Sequence, residues 1–308
     1  MEKHIPVLLN EILNFADIAN GENRIIDCTL GYGGHSEAFL QNEKNQLIGI
    51  DRDFDALKFS KERLDFAKNR VYLKNGSYSE MSTFAEEEGW DKVDVILMDL
   101  GISSPQIDTP ERGFSHRFDG PLDMRMSQLN PMTASRIINH YSVDQLARIF
   151  RDYGDIIQSK KLARAVVEAR KEKPFSTTTE LRLLCEDVLG VPRKKTLPKA
   201  TLCFQALRIE VNEELKEVKT GITAALKLLK PGGKLLVISF HSLEDRIVKD
   251  IFRSSATDCL CPPGLPICVC EHRKSIKILT KKPIVANNAE CRINKRANCA
   301  KLRIAQKL

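Results

Sequence analysis

Four short apolar runs constrain the fold of this chain more than any other feature. Each holds four to seven residues, is rich in Leu, Ile or Val, and ends at or beside a polar side chain. Amphipathic stretches rich in Lys and Glu, such as residues 55–69, separate the first three runs. Strands that alternate with helices predict βαβ units, and therefore an α/β fold with a parallel sheet and helices on both faces. The runs are residues 24–28, 47–51, 93–99 and 234–239.

The spacing breaks after the third of these runs. Lys234 lies 135 positions after Asp99, whereas a crossover between parallel strands needs only about a dozen residues. Helical patterns fill most of the gap: one follows a Ser142 cap and stops near Gly154, and others cover residues 156–172 and 177–189. A crossover helix over 212–229 then returns to the sheet. We therefore expect an all-helical domain, residues 108–211, inserted into an α/β domain made of residues 1–107 and 212–308.

The end of the chain alternates apolar and polar residues in two places. Residues 275–280 and 300–305 show the period-two pattern of half-exposed strands. They are predicted to pair as an antiparallel ribbon at one edge of the sheet.

Charge is concentrated in the same region. The net charge is +7, and residues 271–308 hold eleven Lys and Arg against two Glu. Such a segment favours a polyanionic partner, because neutralising phosphates releases condensed counterions; a solvated basic terminus is the alternative. No apolar run approaches a membrane span, and the first residues do not resemble a signal peptide. We expect a cytoplasmic protein with no membrane contact.

Nine cysteines raise the question of disulfides or a metal. An odd count without an export signal favours reduced thiols or a metal site over a disulfide framework. Cys259 and Cys261, with Cys268 and Cys270, flank a Pro-rich turn and resemble a tetrathiolate zinc knot, although C-x-C pairs are less typical than C-x₂-C pairs. Reduced cysteines that pack a loop are the commoner outcome, so we expect no metal.

A glycine-rich turn follows the first run. Asp27 leads into Gly31, Gly33 and Gly34, and such a turn at the end of a first strand lets the backbone approach a nucleotide closely. Asp51 ends the second run 18 residues after Gly33, where an acid can accept both hydroxyls of a ribose. The pattern predicts a bound adenosine-type cofactor.

The residues beside this turn narrow the choice of cofactor. Ser36 stands where a dinucleotide fingerprint needs Gly, and the Gly-Lys-Ser/Thr of a phosphate loop is absent. Asp27 would oppose a pyrophosphate but favour an ammonium group. S-adenosylmethionine carries an ammonium and no phosphate, and we predict it as the cofactor. The alternative is a plain tight turn beside solvent-facing acids.

The turn after residues 93–99 is the predicted place of chemistry, because that strand end faces both cofactor and substrate. Methylation of an exocyclic amine on a base benefits from acceptors on the amino hydrogens, since the nitrogen lone pair is delocalised into the ring. Backbone carbonyls of Ser103, Ser104 and Pro105, or the side chains of Asp99 and Ser104, can supply them. A turn that uses Ser and Pro only for its geometry is the alternative.

Two further segments are candidates for substrate contacts. Residues 239–246 place His241, Asp245 and Arg246 on the same rim, with Arg246 predicted to contact phosphate or carboxylate. A Ser-His-Asp hydrolase is disfavoured because no Gly-x-Ser-x-Gly elbow is present. Residues 112–126 mix Gly, Pro and Arg with Phe114 and Phe118, which suits an unstacked base; a gating loop and an ordered connector remain equally open.

Long motifs throughout the chain carry a family resemblance. They occupy residues 4–9, 31–36, 51–53, 99–106, 111–115, 119–126, 204–209 and 239–246. In them the chain resembles the bacterial RsmH/MraW family of ribosomal RNA cytosine-N4 methyltransferases. The resemblance implies a class I, Rossmann-like methyltransferase fold with an inserted helical domain, and methylation of N4 of a decoding-centre cytosine in 16S ribosomal RNA.

The resemblance also assigns residues by motif. Cofactor contacts carry over to Gly33, Gly34, His35, Asp51, Asp99 and Gln106, and to Tyr78 where the family usually has Phe. Substrate contacts are expected from Arg112, Phe114, Asp123, Arg125, His241 and Arg246. Two departures concern RNA binding: Lys199 and Asn298 stand in runs where the family usually has one more Arg, and Lys lacks the planar fork of Arg.

The expected partner is small-subunit ribosomal RNA or the assembled small subunit, and a homodimer is possible. Two other classes of function stay open at this stage. One is a methyltransferase acting on DNA, protein or a small molecule. The other is a nonenzymatic RNA-binding factor with a vestigial cofactor pocket.

Overall fold

A computed structural model describes residues 5–191, 198–262 and 269–308. The chain forms two compact units: one joins Met1–Gly101 to Leu215–Leu308, and the other is Ile102–Glu214. The sequence-based boundaries at 107/108 and 211/212 lie six and three residues from these. The motif residues His4 and Cys268 lie outside the described part of the chain.

The first unit is built on a seven-stranded sheet in the order β3-β2-β1-β4-β5-β7-β6. Strands β1 to β5 pair in parallel, whereas β7 is antiparallel to both β5 and β6. This confirms the predicted α/β class and its antiparallel C-terminal strand pair. The strands are β1 (Arg24–Asp27), β2 (Gln46–Asp51), β3 (Val71–Asn75), β4 (Val93–Asp99), β5 (Leu229–Ser239), β6 (Ile276–Ile278) and β7 (Lys301–Lys307).

Helices cover both faces of this sheet and form the second unit. They are α1 (Leu9–Ala16), α2 (Gly34–Phe39), α3 (Phe54–Arg63), α4 (Met81–Glu87), α5 (Ser104–Asp108), α6 (Ala134–His140), α7 (Val143–Asp152), α8 (Ser159–Glu172), α9 (Thr178–Leu189), α10 (Lys199–Asn212), α11 (Glu214–Leu228), α12 (Ser242–Ser255) and α13 (Asn288–Ile293). Short 3₁₀ helices lie at Asp65–Arg70, Tyr78–Glu80, Pro110–Arg112 and Lys295–Cys299.

Neighbouring residues of the central strands point into two separate cores. Ile26 packs with side chains from α4, α11 and α12, while Ile25 packs with side chains from α1, α2 and α3. Both are fully buried. Because consecutive side chains of a strand face opposite sides, a continuous apolar run is what a sheet covered on both faces requires.

The helical unit follows its predicted local signals. Ser142 caps α7 in a reciprocal capping box with Gln145, and Thr177 does the same for α9 with Glu180. The apolar faces of these helices meet in one core that includes Phe150. In the described part of the chain, no helix is both long enough and apolar enough to cross a membrane.

Candidate active site

The glycine-rich turn joins β1 to α2. Gly31 and Gly33 have φ values of +51° and +72°, a backbone conformation that residues other than glycine rarely adopt. A Cβ at Gly34 would come 2.6 Å from Cγ of Pro6, so the turn and the N-terminal segment approach too closely for a larger residue.

His35 is held by the same segment. Its Nε2 lies 3.0 Å from the carbonyl oxygen of Val7, which can only accept, so Nε2 carries the proton. Nδ1 then faces Asp99 Oδ2 at 3.9 Å. His35 is therefore positioned between the N-terminal segment and the end of β4.

Asp51 ties the end of β2 to the glycine-rich turn. Its two carboxylate oxygens accept from the backbone N–H groups of Gly31 and Asp53, each at 2.8 Å. Burial raises the pKa of Asp51 to about 6 against these stabilising hydrogen bonds. Each oxygen retains a lone pair for a ligand hydroxyl.

Asp27 lies at the end of β1 and is buried, which excludes the solvent-facing alternative for this residue. Its carboxylate accepts from Ser36 Oγ at 2.6 Å and from the backbone N–H of Thr29 at 3.2 Å. Burial raises the pKa of Asp27 to about 6 in spite of both bonds.

Asp99, at the end of β4, is the most perturbed acid of the three. Burial, together with the nearby charges of Asp27 and Glu244, raises the pKa of its carboxyl group to about 8. The side chain as a whole is 23% exposed, yet Oδ1 is buried and has no hydrogen-bond partner in the described structure. A buried, unpartnered oxygen is costly unless a ligand supplies a donor.

These carboxylates form a set of acceptors that suits S-adenosylmethionine. The cofactor brings an ammonium group and ribose hydroxyls, all of them donors, and it has no phosphate for the acids to repel. The hydroxyl-accepting geometry of Asp51 and the buried carboxylate of Asp27 fit that donor set, and the orphaned Oδ1 of Asp99 is left for a further donor.

Tyr78 follows β3, in the 3₁₀ helix Tyr78–Glu80. Its ring packs so closely on α11 that a Cβ at Gly221 would fall 2.5 Å from ring carbon Cδ2. The preceding Ser77 accepts from Arg52 at 2.9 Å and donates to Glu217, which also pairs with Arg52 at 2.7 Å. This network fixes the aromatic ring beside the end of β2.

The rim after β5 is organised by a buried acid that the sequence analysis did not single out. Glu244 accepts from the backbone N–H groups of Phe240 and His241, at 2.8 and 3.3 Å, and so caps α12. His241 Nε2 lies 3.1 Å from Glu244 Oε1 but without hydrogen-bonding geometry. A Glu at the third position of a helix is the signal that could have identified this cap.

Asp245 and Arg246, the other predicted rim residues, differ in their surroundings. Asp245 pairs with Arg303 of β7 through two contacts of 2.6 and 3.1 Å, which ties α12 to the sheet. Arg246 is exposed.

The predicted catalytic turn belongs to the helical unit. Ser103 caps α5, and its backbone N–H donates to Oε1 of the buried Gln106 at 3.2 Å. Pro105 occupies the first turn of that helix, where its missing N–H costs nothing. The side chain of Ser104 lies outside the described structure.

The segment after α5 is internally cross-linked. Arg112 donates to the carbonyls of Arg125 and Met126, at 3.0 and 3.1 Å, and lies over the ring of Phe114. Phe114 is buried in the helical core. Asp123 and Arg125 form an ion pair at 2.7 Å. These contacts favour the ordered-connector interpretation, and the substrate roles of these four residues stay predictions.

Phe118 and Lys199, two further side chains considered for RNA contacts, also belong to the helical unit. Phe118, at 46% exposed, is more open to solvent than Phe114. Lys199 donates to the carbonyl oxygen of Leu189 at 3.0 Å, so part of its hydrogen-bonding capacity is used within the unit.

The sheet order, the glycine-rich turn after β1 and the acids ending β2 and β4 define a class I, Rossmann-like methyltransferase that uses S-adenosylmethionine. The chain belongs to the MraW methylase family, whose profile matches residues 1–308.

Full-length relatives carry one common name. Ribosomal RNA small subunit methyltransferase H of Carboxydothermus hydrogenoformans is 44% identical over 308 residues, which cover 99% of this chain and 98% of that protein. The protein of that name from Fusobacterium nucleatum is 44% identical over 307 residues, covering 99% and 97%. That of Caldicellulosiruptor bescii is 43% identical over 310 residues and covers all of both chains.

Proposed function

We propose that this methyltransferase acts on the small-subunit ribosomal RNA, at N4 of a decoding-centre cytosine. Support for the RNA comes from the name shared by relatives that match the whole chain. Support for the cytosine amine comes from the motif resemblance at residues 99–106 and from the buried carboxyl of Asp99 at the end of β4. The unpartnered Oδ1 of Asp99 is the observation that carries this proposal.

Separate residues hold the parts of the cofactor. Asp51 accepts the ribose hydroxyls, Asp27 favours the ammonium group, and the Tyr78 ring offers an apolar face to the adenine. The turn at Gly33 and Gly34 lets the backbone come close. When bound, S-adenosylmethionine supplies an electrophilic methyl group.

Asp99 acts on the amino group of the base. An acceptor at an amino hydrogen helps the nitrogen lone pair to leave conjugation with the ring. Transfer of the methyl group to this nitrogen would break the bond between methyl and sulfur and release S-adenosylhomocysteine, and the N–H proton would then pass to the ionised carboxylate of Asp99. A pKa of about 8 places this group near neutral pH, where general-base catalysis is most effective. Ser103, Ser104 and Pro105 follow along the chain, and their part in the reaction stays a prediction.

The basic C-terminal region binds the RNA backbone. Lys295 is exposed and Arg296 half-buried on the 3₁₀ helix Lys295–Cys299, which precedes β7. These cations contact phosphates and position the RNA without reading its sequence. A homodimer remains a prediction.

Methyl transfer to defined substrates tests the proposal. Purified protein and labelled S-adenosylmethionine are incubated with small subunits from cells lacking the gene, with naked 16S RNA, and with duplex DNA. Nucleoside mass spectrometry is expected to find N4-methylcytidine in the ribosomal RNA alone. Transfer to DNA, or another methylated nucleoside in the RNA, would overturn the substrate assignment. Asp99→Ala, assayed in parallel, checks that product formation depends on this site.

A further inference from the structure

Three cysteines lie together in the segment between α12 and β6, which contains none of the proposed active-site residues. In the described part of that segment no helix or strand forms between Ser255 and Ile276. The Sγ atoms of Cys259, Cys261 and Cys270 nevertheless all lie within 4.8 Å of one another. Something other than regular secondary structure therefore organises these thiols.

One of the sulfur–sulfur distances equals that of a tetrahedral metal site. Zinc binds thiolate sulfur at about 2.3 Å, and tetrahedral angles then place neighbouring sulfurs about 3.8 Å apart. The Sγ atoms of Cys259 and Cys270 are 3.7 Å apart. A disulfide would require about 2.05 Å and would use only two of the three thiols.

Backbone N–H groups point at all three sulfurs. Leu260 donates to Cys270 Sγ at 3.3 Å, Cys261 to Cys259 Sγ at 3.4 Å, and Val269 to Cys261 Sγ at 3.4 Å. Hydrogen bonds to sulfur spread the negative charge that several thiolates accumulate around one metal. This is the outer shell that a thiolate cluster needs.

Burial argues against the packing explanation that the sequence alone favours. Cysteines that act as small apolar side chains are buried, as Cys28, Cys185 and Cys203 are here. Cys259 is exposed, and Cys261 and Cys270 are only partly buried. The three thiols thus converge at a place where little apolar surface is available to pack.

We propose that Cys259, Cys261 and Cys270 are ligands of a structural Zn²⁺ ion. Soft thiolates select zinc over the oxygen-preferring Mg²⁺ and Ca²⁺. The ion closes a segment whose ends already meet through the backbone bond from Ser275 to Ser255, at 2.8 Å. Bound metal would fix the start of the basic C-terminal region, including Arg273 and Lys274.

Metal analysis of the full chain tests this site independently of methyl transfer. Protein purified under reducing conditions and desalted is measured by mass spectrometry of metals, with about one zinc per chain expected. The double variant Cys259→Ser/Cys261→Ser should lose most of the zinc. Cys299→Ser, which removes another exposed thiol, should retain it. Circular dichroism and S-adenosylmethionine binding verify that each variant is folded.

Cobalt substitution supplies a second readout. Co²⁺ in a tetrahedral thiolate site gives intense ligand-to-metal and d–d absorption bands, which should appear in the wild type and in Cys299→Ser but not in the double variant. Zinc-free wild-type protein that also fails to give the cobalt bands would overturn the proposal. Zinc retained in full by the folded double variant would overturn it as well.

Discussion

Asp99→Asn should change the way stability depends on pH. The substitution keeps the shape of the side chain and removes its ionisation. In the wild type the carboxyl has a pKa raised from 3.8 to about 8, so folding favours its protonated form. The stability this group contributes is fully present below pH 3.8 and is lost as the pH rises through 8.

The size of the effect follows from that pKa. Between pH 7 and pH 9 a group with a folded pKa of about 8 changes from mostly protonated to mostly ionised, while in the unfolded chain it is ionised throughout. The free energy of unfolding should fall by about 1.4 kcal/mol over this interval. Asp27 and Asp51, with pKa values of about 6, are largely ionised before it begins. The difference between wild type and variant therefore isolates Asp99.

Urea unfolding followed by tryptophan fluorescence measures this difference. Trp90 is the only tryptophan of the chain and is buried in one of the two sheet cores, so its signal reports the unit that holds Asp99. Free energies of unfolding are determined at pH 7, 8 and 9 without cofactor. Parallel pH dependences for wild type and Asp99→Asn would refute the claim that Asp99 has a strongly raised pKa.

Three further predictions concern binding and turnover. Asp51→Asn should weaken S-adenosylmethionine binding at least tenfold in isothermal titration, because a charge-assisted hydrogen bond contributes roughly 1.5–3 kcal/mol. Asp55→Asn, at an exposed position, is the control. An unchanged affinity for Asp51→Asn would remove Asp51 from the site. Replacing Lys295 and Arg296 with Gln should weaken the binding of matched and mismatched RNAs alike, and should flatten the dependence of log K on log salt concentration. An unaltered slope would mean that the RNA binds elsewhere. Ser104→Ala should lower kcat and kcat/KM together, by up to ~10²–10³, if its hydroxyl accepts an amino hydrogen. If the backbone carbonyls do so instead, replacing Pro105 should slow single turnover, and full rates in both variants would exclude this turn.

Apolar runs and helix-capping residues predicted much of the fold, because each depends on interactions between residues close together in the sequence. Residues 95–98 of β4 are continuously apolar and buried, as a central parallel strand requires, and Ser142 caps α7 through its own side chain. Strand β3 was not predicted because it lies at the edge of the sheet. Val71–Asn75 is only partly buried, and its apolar and polar residues follow no clear periodic pattern. Strand β5 begins at Leu229, five residues before the predicted start, through the Pro-Gly-Gly stretch and its irregular pairing with β4.

The candidate site was predictable to the level of residue types at strand ends, but not to the level of their partners. Asp27, Asp51 and Asp99 could be placed together because the carboxyl ends of parallel strands share one edge. Their burial and the role of Glu244 depend on packing between segments far apart in the chain. Phe114 shows the opposite case: an aromatic beside arginines suggested base stacking, yet the ring lies in the helical core. Composition cannot distinguish an exposed ring from a buried one.

The electrostatics of these buried acids favour S-adenosylmethionine over adenosine cofactors that carry a pyrophosphate. The described hydrogen bonds to Asp27 and Asp51 come from neutral N–H and O–H groups, and all three acids have raised pKa values. A pyrophosphate would add negative charge to carboxyl groups that burial already disfavours in their ionised form. A ligand with an ammonium group and a sulfonium centre does the reverse: it favours the ionised carboxylates. Because such a ligand binds only the folded chain, it also recovers stability that the buried acids remove from the free protein. The burial that raises the pKa values of these acids is therefore also what makes a cationic ligand favourable here.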